Sequence, residues 1–374
     1  MTTIHKINEQ PINLDEIYQG DCVEIMNSLP EKSVDIVFAD PPYNLQLRGD
    51  LFRPNLTLVD AVDDNWDQFG SFQEYDHFSY QWLTAARRVL KDNGTIWVIG
   101  SYHNIYRVGS IMQNLGFWIL NDVVWVKTNP MPNFRGVRFT NAHETLLWCK
   151  KSENQKKYTF NYHSMKSMND EKQMRSDWEL ALCTGSERIQ VNGEKLHTTQ
   201  KPEALLYRIL LSSTNPGDIV LDPFFGTGTT GAVAKKLGRR FVGIEQEGSY
   251  VAGARSRIDS IPTRMFDDEV YGRRETKRSM QRIAFSSLVE NGLINPGARV
   301  YFDRSSKSTA VVLADGSLRL NDGTKGSIHQ IGSILARQPA CNGWDRWYYE
   351  NEDGDMILID DLRDRLRKES GKIE

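Results

Sequence analysis

Four consecutive residues, Asp40-Pro41-Pro42-Tyr43, have the types and spacing to act on an exocyclic amino group. They follow a short apolar run, Val34 to Ala39, that reads as a buried strand. The two prolines stiffen the backbone and delete two N–H donors, so the neighbouring carbonyls are free to face a ligand. Asp40 adds a carboxylate acceptor and Tyr43 a flat ring. An exocyclic amine carries two N–H bonds, and this group offers two acceptors and a stacking surface. Such an amine is a poor nucleophile, because its lone pair is delocalised into the ring. Hydrogen bonds to Asp40 and to the Pro41 carbonyl would pull it toward sp³ geometry. They would also stabilise the positive charge that develops as it attacks an electrophilic methyl group. A base in a duplex must first leave the stack, and Tyr43 could then hold it face to face. Asp40, Pro41, Pro42 and Tyr43 are the candidate catalytic residues.

A second group begins at Ile219-Val-Leu-Asp222 and runs through Pro223-Phe224-Phe-Gly226-Thr-Gly228-Thr229-Thr-Gly231. It lies between an apolar run and a helical one, the context in which a glycine loop lets backbone approach a ligand closely. Glu245 follows nineteen positions beyond Gly226, where an acid can accept hydrogen bonds from both ribose hydroxyls of an adenosine-type cofactor. Asp222, Phe224, Gly226, Gly228, Thr229 and Glu245 are therefore candidate cofactor contacts. No Gly-Lys-Ser/Thr follows, which excludes a Walker-type phosphate loop. Gly226, Gly228 and Gly231 also satisfy dinucleotide spacing, so the loop indicates a nucleoside and leaves its identity open between NAD and an S-adenosyl cofactor.

Both groups need a scaffold that brings them to one edge. Strand-like runs at Val34–Ala39, Thr95–Ile99, Phe117–Val126, Glu144–Cys149, Asp218–Leu221 and Phe241–Ile244 alternate with helical stretches. Those stretches are Tyr75–Leu90, one ending at Leu115-Gly116, Pro202–Ser213 and Thr229–Leu237. The alternation predicts a mostly parallel sheet covered by helices on both faces. Asn93-Gly94 reads as the punctuation between a helix and a strand. Residues 127–199 break the rhythm and are read as functional surface rather than scaffold. The reading divides the chain into a catalytic domain over 1–261, a polar linker over 262–277 and a smaller domain of short strands and Gly/Asp turns over 278–374.

Composition limits the setting. The 374 residues carry a net charge of −3, which argues against passive coating of DNA but not against a basic groove on a neutral body. No apolar run could span a bilayer, and the amino terminus lacks the pattern of a signal peptide. Cys22, Cys149, Cys183 and Cys341 are scattered with no C-x-x-C pair, which argues against a disulfide framework and a zinc site and fits a reducing cytoplasm. No metal is expected.

The motifs together resemble the amino-methyltransferases of the β class, in which Asp-Pro-Pro-Tyr precedes the Phe-x-Gly-x-Gly loop. His197-Thr198-Thr199-Gln200-Lys201-Pro202 is similar to a run that the family carries between them, with Thr198 in place of its usual proline. The resemblance implies an α/β, Rossmann-like class I fold with S-adenosyl-L-methionine as cofactor. It adds Thr199 and Lys201 to the cofactor contacts, Lys201 toward the cofactor carboxylate. Gly20-Asp21-Cys22 looks like the family element that closes over the cofactor adenine, which adds Asp21 and Cys22; Asp40 also faces the cofactor. Asp40 to Gln46, Asn129 to Arg135 and Leu221 to Thr230 look like the bacterial cell-cycle-regulated adenine methyltransferases. That likeness implies N6-methylation of adenine in GANTC within double-stranded DNA, a solitary enzyme with a cell-cycle role, and a homodimer. The C-terminal segment resembles the α+β domain appended to restriction-associated adenine methylases, and implies that Ser327 and Trp344 touch DNA. Asn44, Arg135, Arg138, Asn141 and His143 are further candidate DNA contacts.

Three rival readings remain on the residues themselves. Cytosine-N4 methylation is disfavoured because such enzymes typically carry Ser where this chain has Asp40. A nicotinamide-dependent oxidoreductase rests on the glycine loop alone and leaves Asp-Pro-Pro-Tyr unexplained. A silent DNA-binding module would have no need of an intact tetrapeptide and loop.

Overall fold

A computed structural model of the chain describes residues 11–44, 67–133, 136–191, 194–197, 199–262, 270–271, 283–351 and 354–370. The chain forms two compact units, one up to Arg274 and one from Glu275. The first contains β1 (Glu16–Gln19), α1 (Cys22–Ser28), β2 (Val34–Ala39), α2 (Phe72–Val89), β3 (Leu90–Gly100), α3 (Ile105–Asn114), β4 (Trp118–Lys127) and β5 (His143–Lys150). It continues with α4 (Tyr162–Ser167), β6 (Asp177–Leu180), the short hairpin β7 (Gln190–Val191) and β8 (Glu194–Lys195), α5 (Glu203–Ser213), β9 (Ile219–Asp222), α6 (Thr229–Lys236), β10 (Arg240–Glu245) and α7 (Gly248–Asp259).

Eight strands form one sheet in the order β1-β10-β9-β2-β3-β5-β4-β6. β1, β10, β9, β2 and β3 run parallel, β5 is antiparallel to both its neighbours, and β6 pairs parallel with β4. This is the α/β, mostly parallel sheet that the alternating runs predict. β2 sits in the middle, and its side chains alternate between two apolar layers. Ile36 and Phe38 face the layer with α5, α6 and α7, whereas Val37 and Ala39 face the one with α1, α2 and α3. α2 shows the stripe that fits it there: Tyr75, Ser79, Trp82, Leu83, Ala86 and Val89 are buried at helical spacing, and Ser71 caps its start by accepting from the Glu74 N–H.

Two expectations change. Asn93-Gly94 lies inside β3 rather than before it, because β3 begins at Leu90 and takes a bulge there: the register jumps from Val34↔Leu90 to Ile36↔Thr95. The 127–199 segment is partly scaffold. Its strand β5 is inserted between β3 and β4, where Leu146, Leu147, Trp148 and Cys149 are buried.

The second unit contains α8 (Phe285–Glu290), β11 (Arg299–Phe302), β12 (Thr309–Val312), β13 (Leu318–Arg319), β14 (Lys325–Gly326), α9 (Ile328–Ala336), β15 (Trp347–Glu350), β16 (Met356–Leu358) and α10 (Ile359–Ser370). Its six strands form an antiparallel sheet in the order β14-β13-β12-β11-β15-β16, whose apolar side carries Val300, Phe302, Val312 and Trp347 against the helices. The two C-terminal residues expected at DNA both have structural roles in this unit. Trp344 is buried, edge-on to Phe285 and 4.0 Å beneath the Arg363 guanidinium. Ser327 closes a capping box: its hydroxyl accepts from the Gln330 N–H while the Gln330 side chain accepts from the Ser327 N–H. Removing the hydroxyl orphans a helix-end donor, so Ser327→Ala is expected to cost about 1 kcal/mol. Urea unfolding of the two proteins checks this, and unchanged stability would contradict the capping role.

Candidate active site

The catalytic tetrapeptide and the glycine loop are far apart in sequence, yet they leave adjacent strands in the same direction. β2 and β9 pair in parallel, Val37 opposite Leu221, so Asp40 and the Pro223–Gly226 loop emerge side by side at the carboxyl edge. The chain leaves this point toward opposite ends of the sheet, which opens a crevice between the loops. A cavity occupies it, lined by Asp40, Pro41, Pro42, Tyr43, Phe224, Gly226 and Glu245 with Gly20, Asp21, Cys22, Thr199 and Lys201.

Each wall has a reason in the local chain. Asp40 is the first residue after β2, and its Oδ2 accepts from Lys201 Nζ at 2.7 Å, both side chains being largely buried. Asp40 Oδ1 is buried and makes no well-formed hydrogen bond among the described residues, with the Tyr43 hydroxyl close by the carboxylate. Burial raises the Asp40 carboxyl above the ordinary aspartate value, and Lys201 offsets this only in part. The Pro42 carbonyl is not free as the sequence suggested. The Tyr75 hydroxyl of α2 donates to it at 2.8 Å, and Asn104 donates to that hydroxyl, which pins the turn to the helices. Tyr43 donates its hydroxyl to Glu144 Oε2 at 2.9 Å, and Lys201 Nζ lies 5.1 Å from its ring centre. Lys201 is thus engaged with the tetrapeptide rather than left for a cofactor carboxylate alone, although an ammonium retains further donors.

The glycine loop is held from behind. Asp222 accepts from the Phe224 N–H and from the Thr230 hydroxyl at 2.6 Å. Gly226, at φ +52°, donates its N–H to Glu245 Oε2 at 2.7 Å, and a Cβ there would lie 3.2 Å from the His197 ring. Gly228, at φ +76°, starts α6 and packs on α7 so closely that a Cβ would come within 2.8 Å of Ala254 Cβ. Asp222, Gly228 and Thr229 therefore stand behind the cavity wall and shape it without lining it: Thr229 donates to the Lys201 carbonyl and accepts from Arg257. Asp21 caps α1 through the Val23 and Glu24 N–H groups, and Gly20 donates to the Glu245 carbonyl, so this corner is fixed beside β10. Burial pushes the Cys22 thiol up to about 12, so it is a neutral packing group there.

Several wall residues carry no sequence signal. Phe69 and Phe78 join the expected Phe224 in a chain of ring contacts at 5.4 and 6.1 Å, giving an apolar side. His197 stacks on Tyr250 at 4.7 Å and 13°, and burial lowers its pKa to about 4, so the ring is neutral. Glu144 was not expected either: it pairs with Lys127 at 2.8 Å, both largely buried. The charges at the cavity discriminate between ligands. Asp21, Asp40, Asp67, Glu245 and Glu247 face it with Lys201, an acidic lining that repels a pyrophosphate and suits a cationic ligand. The Gly226 N–H, which a dinucleotide phosphate would need, is taken by Glu245.

The remaining sequence candidates separate. Arg138, Asn141 and His143 are exposed in and beside the β4–β5 loop, at the edge where β2 ends, with Arg138 5.8 Å from the Tyr102 ring and Phe139 fully exposed. Asn44 is buried at φ +54°, its N–H donating to Asp67 Oδ1, because the chain turns left-handed there to leave the tetrapeptide. Arg135 lies outside the described residues, as does Thr198. Among the described residues no group of three or more His, Cys, Asp or Glu is placed to hold a metal, and no helix is long and apolar enough to cross a membrane.

The open sheet with this crevice is the fold of class I methyltransferases, and a solved structure of the PvuII DNA methyltransferase (cytosine-N4-specific) shares it at a TM-score of 0.51 and 20% identity, over 68% of this chain and 89% of that one. The chain belongs to the DNA methylase family, whose model matches residues 34–256, and a model described as Restriction Enzyme Adenine Methylase Associated matches residues 267–372. It is 48% identical over 351 residues to the Type II methyltransferase M.HinfI of Haemophilus influenzae, covering 94% of this chain and 96% of that protein. A crystal structure of an M1.HpyAVI–SAM complex is 30% identical, covering 65% of this chain and 98% of that one at a TM-score of 0.48.

Asp222 gives a test of the loop support. Burial raises its pKa from the ordinary 3.8 to about 7, so between those values the folded chain holds a proton that the unfolded chain has lost. This group's contribution to stability therefore declines as pH rises from about 4 to about 7 and then levels. Asp222→Asn removes the titration. The stability of the native protein minus that of the variant, from urea unfolding at several pH values, is expected to fall across that window; a difference that grows with pH would contradict the assignment.

Proposed function

We propose that this DNA methylase transfers a methyl group from S-adenosyl-L-methionine to N6 of an adenine flipped out of double-stranded DNA. The observation that carries the reading is the state of Asp40: one oxygen is anchored by Lys201, and the other makes no well-formed hydrogen bond among the described residues, beside the Pro41-Pro42 turn and Tyr43 at the cavity. When bound, S-adenosyl-L-methionine supplies an electrophilic methyl group on a positively charged sulfur. The acidic lining suits that charge, Glu245 suits the ribose hydroxyls with its remaining lone pairs, and the Phe69-Phe78-Phe224 side suits a flat adenine.

Asp40 Oδ1 and the Pro41 carbonyl accept the two N–H bonds of the target amine and localise its lone pair for attack. As the N–C bond forms, the methyl–sulfur bond would break with its electron pair left on sulfur as a neutral thioether, and the nitrogen, now positively charged, must lose one proton. Asp40 Oδ1 is the nearest base by this arrangement, and the burial that raises its pKa favours its holding that proton before release to water. Tyr43 holds the extruded ring.

Adenine rather than cytosine rests on Asp at position 40 and on the matched adenine-methylase-associated model. Recognition of GANTC, a role in the cell cycle and a homodimer rest on the motif resemblance alone. The second unit is assigned to DNA grip, and the exposed Arg138, Asn141 and His143 to the target side of the first.

Incubation with duplex DNA and methyl-labelled S-adenosyl-L-methionine, followed by analysis of the nucleosides, is expected to give N6-methyladenine confined to GANTC. Asp40→Ala should reduce transfer by roughly 100-fold or more while cofactor binding persists. Labelled cytosine, or no transfer by the native protein, refutes the reading. Removal of residues after Pro262 is expected to weaken DNA binding and to leave cofactor affinity unchanged; undiminished DNA affinity would deny the second unit its role.

A further inference from the structure

Glu144 lies in neither sequence group, yet it reaches the catalytic tetrapeptide from a different strand. It is the second residue of β5, and its carboxylate touches two partners at once: the Tyr43 hydroxyl at 2.9 Å through Oε2 and Lys127 Nζ at 2.8 Å through Oε1. Lys127 ends β4, directly alongside, where its N–H also bonds the Ala142 carbonyl. The Tyr43 ring is therefore tied at both ends. Its backbone follows a turn pinned through the Pro42 carbonyl to α2 and α3, and its hydroxyl is tied to the sheet.

We propose that Glu144 is a positioning residue for methyl transfer, which fixes the roll of the Tyr43 ring through its hydroxyl, with Lys127 as the counterion that holds Glu144 in place. This rests on the reading that Tyr43 meets the acceptor base.

Charge and geometry agree on the role. A buried carboxylate with no cation would be costly, and Glu144 has one in direct contact and Lys201 nearby. Burial opposes the charge on Glu144, but Lys201 and Lys127 outweigh it and hold the carboxyl below the ordinary glutamate value. Glu144 thus remains an acceptor. Burial, then the charges of Asp40 and Glu144, push the Tyr43 phenol well above its ordinary 10, so Tyr43 stays a neutral donor. The hydroxyl of this neutral phenol is committed to Glu144. Its hydroxyl serves orientation, and a flat ring with a fixed roll presents one defined face to a base. Without the bond the ring can turn about its side-chain torsions, and the amine drifts from Asp40 Oδ1.

The test uses the full chain. Because Glu144→Gln alone strands Lys127, the main variant is the pair Glu144→Leu with Lys127→Met, which replaces a buried ion pair by apolar groups of similar size. Its companions are Tyr43→Phe and the triple variant. The proposal expects the pair variant to lose roughly tenfold in kcat, the size of one aligned hydrogen bond, with the KM for S-adenosyl-L-methionine unchanged. It expects Tyr43→Phe to lose about as much, and the triple variant to lose no more than either. With tyrosine labelled by 13C at the phenol carbon, the resonance absent from Tyr43→Phe should shift in the pair variant. Multiplying losses, a raised cofactor KM with normal kcat, or an unmoved Tyr43 resonance would overturn it. If the native protein methylates no adenine, the functional reading fails separately, and the resonance alone then decides whether Glu144 orients Tyr43.

Discussion

Everything at the site depends on one parallel pairing. β2 and β9 come from opposite ends of the first unit's sequence, and only their side-by-side register places Asp40 next to the glycine loop. Either group alone would be a turn at the end of a strand. Lys201 completes the join, since it precedes α5, contacts Asp40 and offers its carbonyl to Thr229 at the start of α6. A shift of one residue in that pairing would turn every side chain of β2 to the other face and carry Asp40 away from the crevice.

The site is also a study in how buried charge is tolerated. Asp40 and Glu144 face Lys201 and Lys127, two carboxylates against two ammoniums, with the neutral Tyr43 between them. Breaking one partner of such a set costs more than the set contributes, because the survivor is left uncompensated away from water. The arrangement therefore specifies geometry more than it adds stability. Beside it, the carboxylates at the cofactor end of the cavity outnumber the cations, which separates a sulfonium cofactor from a pyrophosphate where glycine spacing could not.

How much of this was legible in the sequence follows from how local each feature is. Asp40 to Tyr43 and Phe224 to Gly226 announce themselves because their chemistry lies within a few consecutive residues at strand ends. The alternation of apolar runs marked six of the sheet's eight strands, β5 among them, but not the edge strands β1 and β6, which are only four residues long. Glu144, Lys127, Phe69, Phe78 and Tyr250 were silent, since each acquires its role only when pairing or helix packing brings it to the crevice. Asp222, Gly228 and Thr229 were legible as part of the loop, but sequence could not tell a residue that lines a cavity from one that braces it. Trp344 and Ser327 have the same ambiguity: a tryptophan fills a core as well as it stacks on a base, and a serine before a helix caps it.

The strand order has a consequence for how the chain is made. β1 comes from the first twenty residues but pairs with β10, near residue 245, and β2 likewise waits for β9. During synthesis the early strands leave the ribosome with their permanent neighbours still unwritten. The cofactor pocket can close only after some 220 further residues have emerged, so its assembly is a late, long-range event rather than a local one. Until then the apolar edge of β2 is exposed to whatever else is in reach, and the first unit is most vulnerable to misassociation while it is being born.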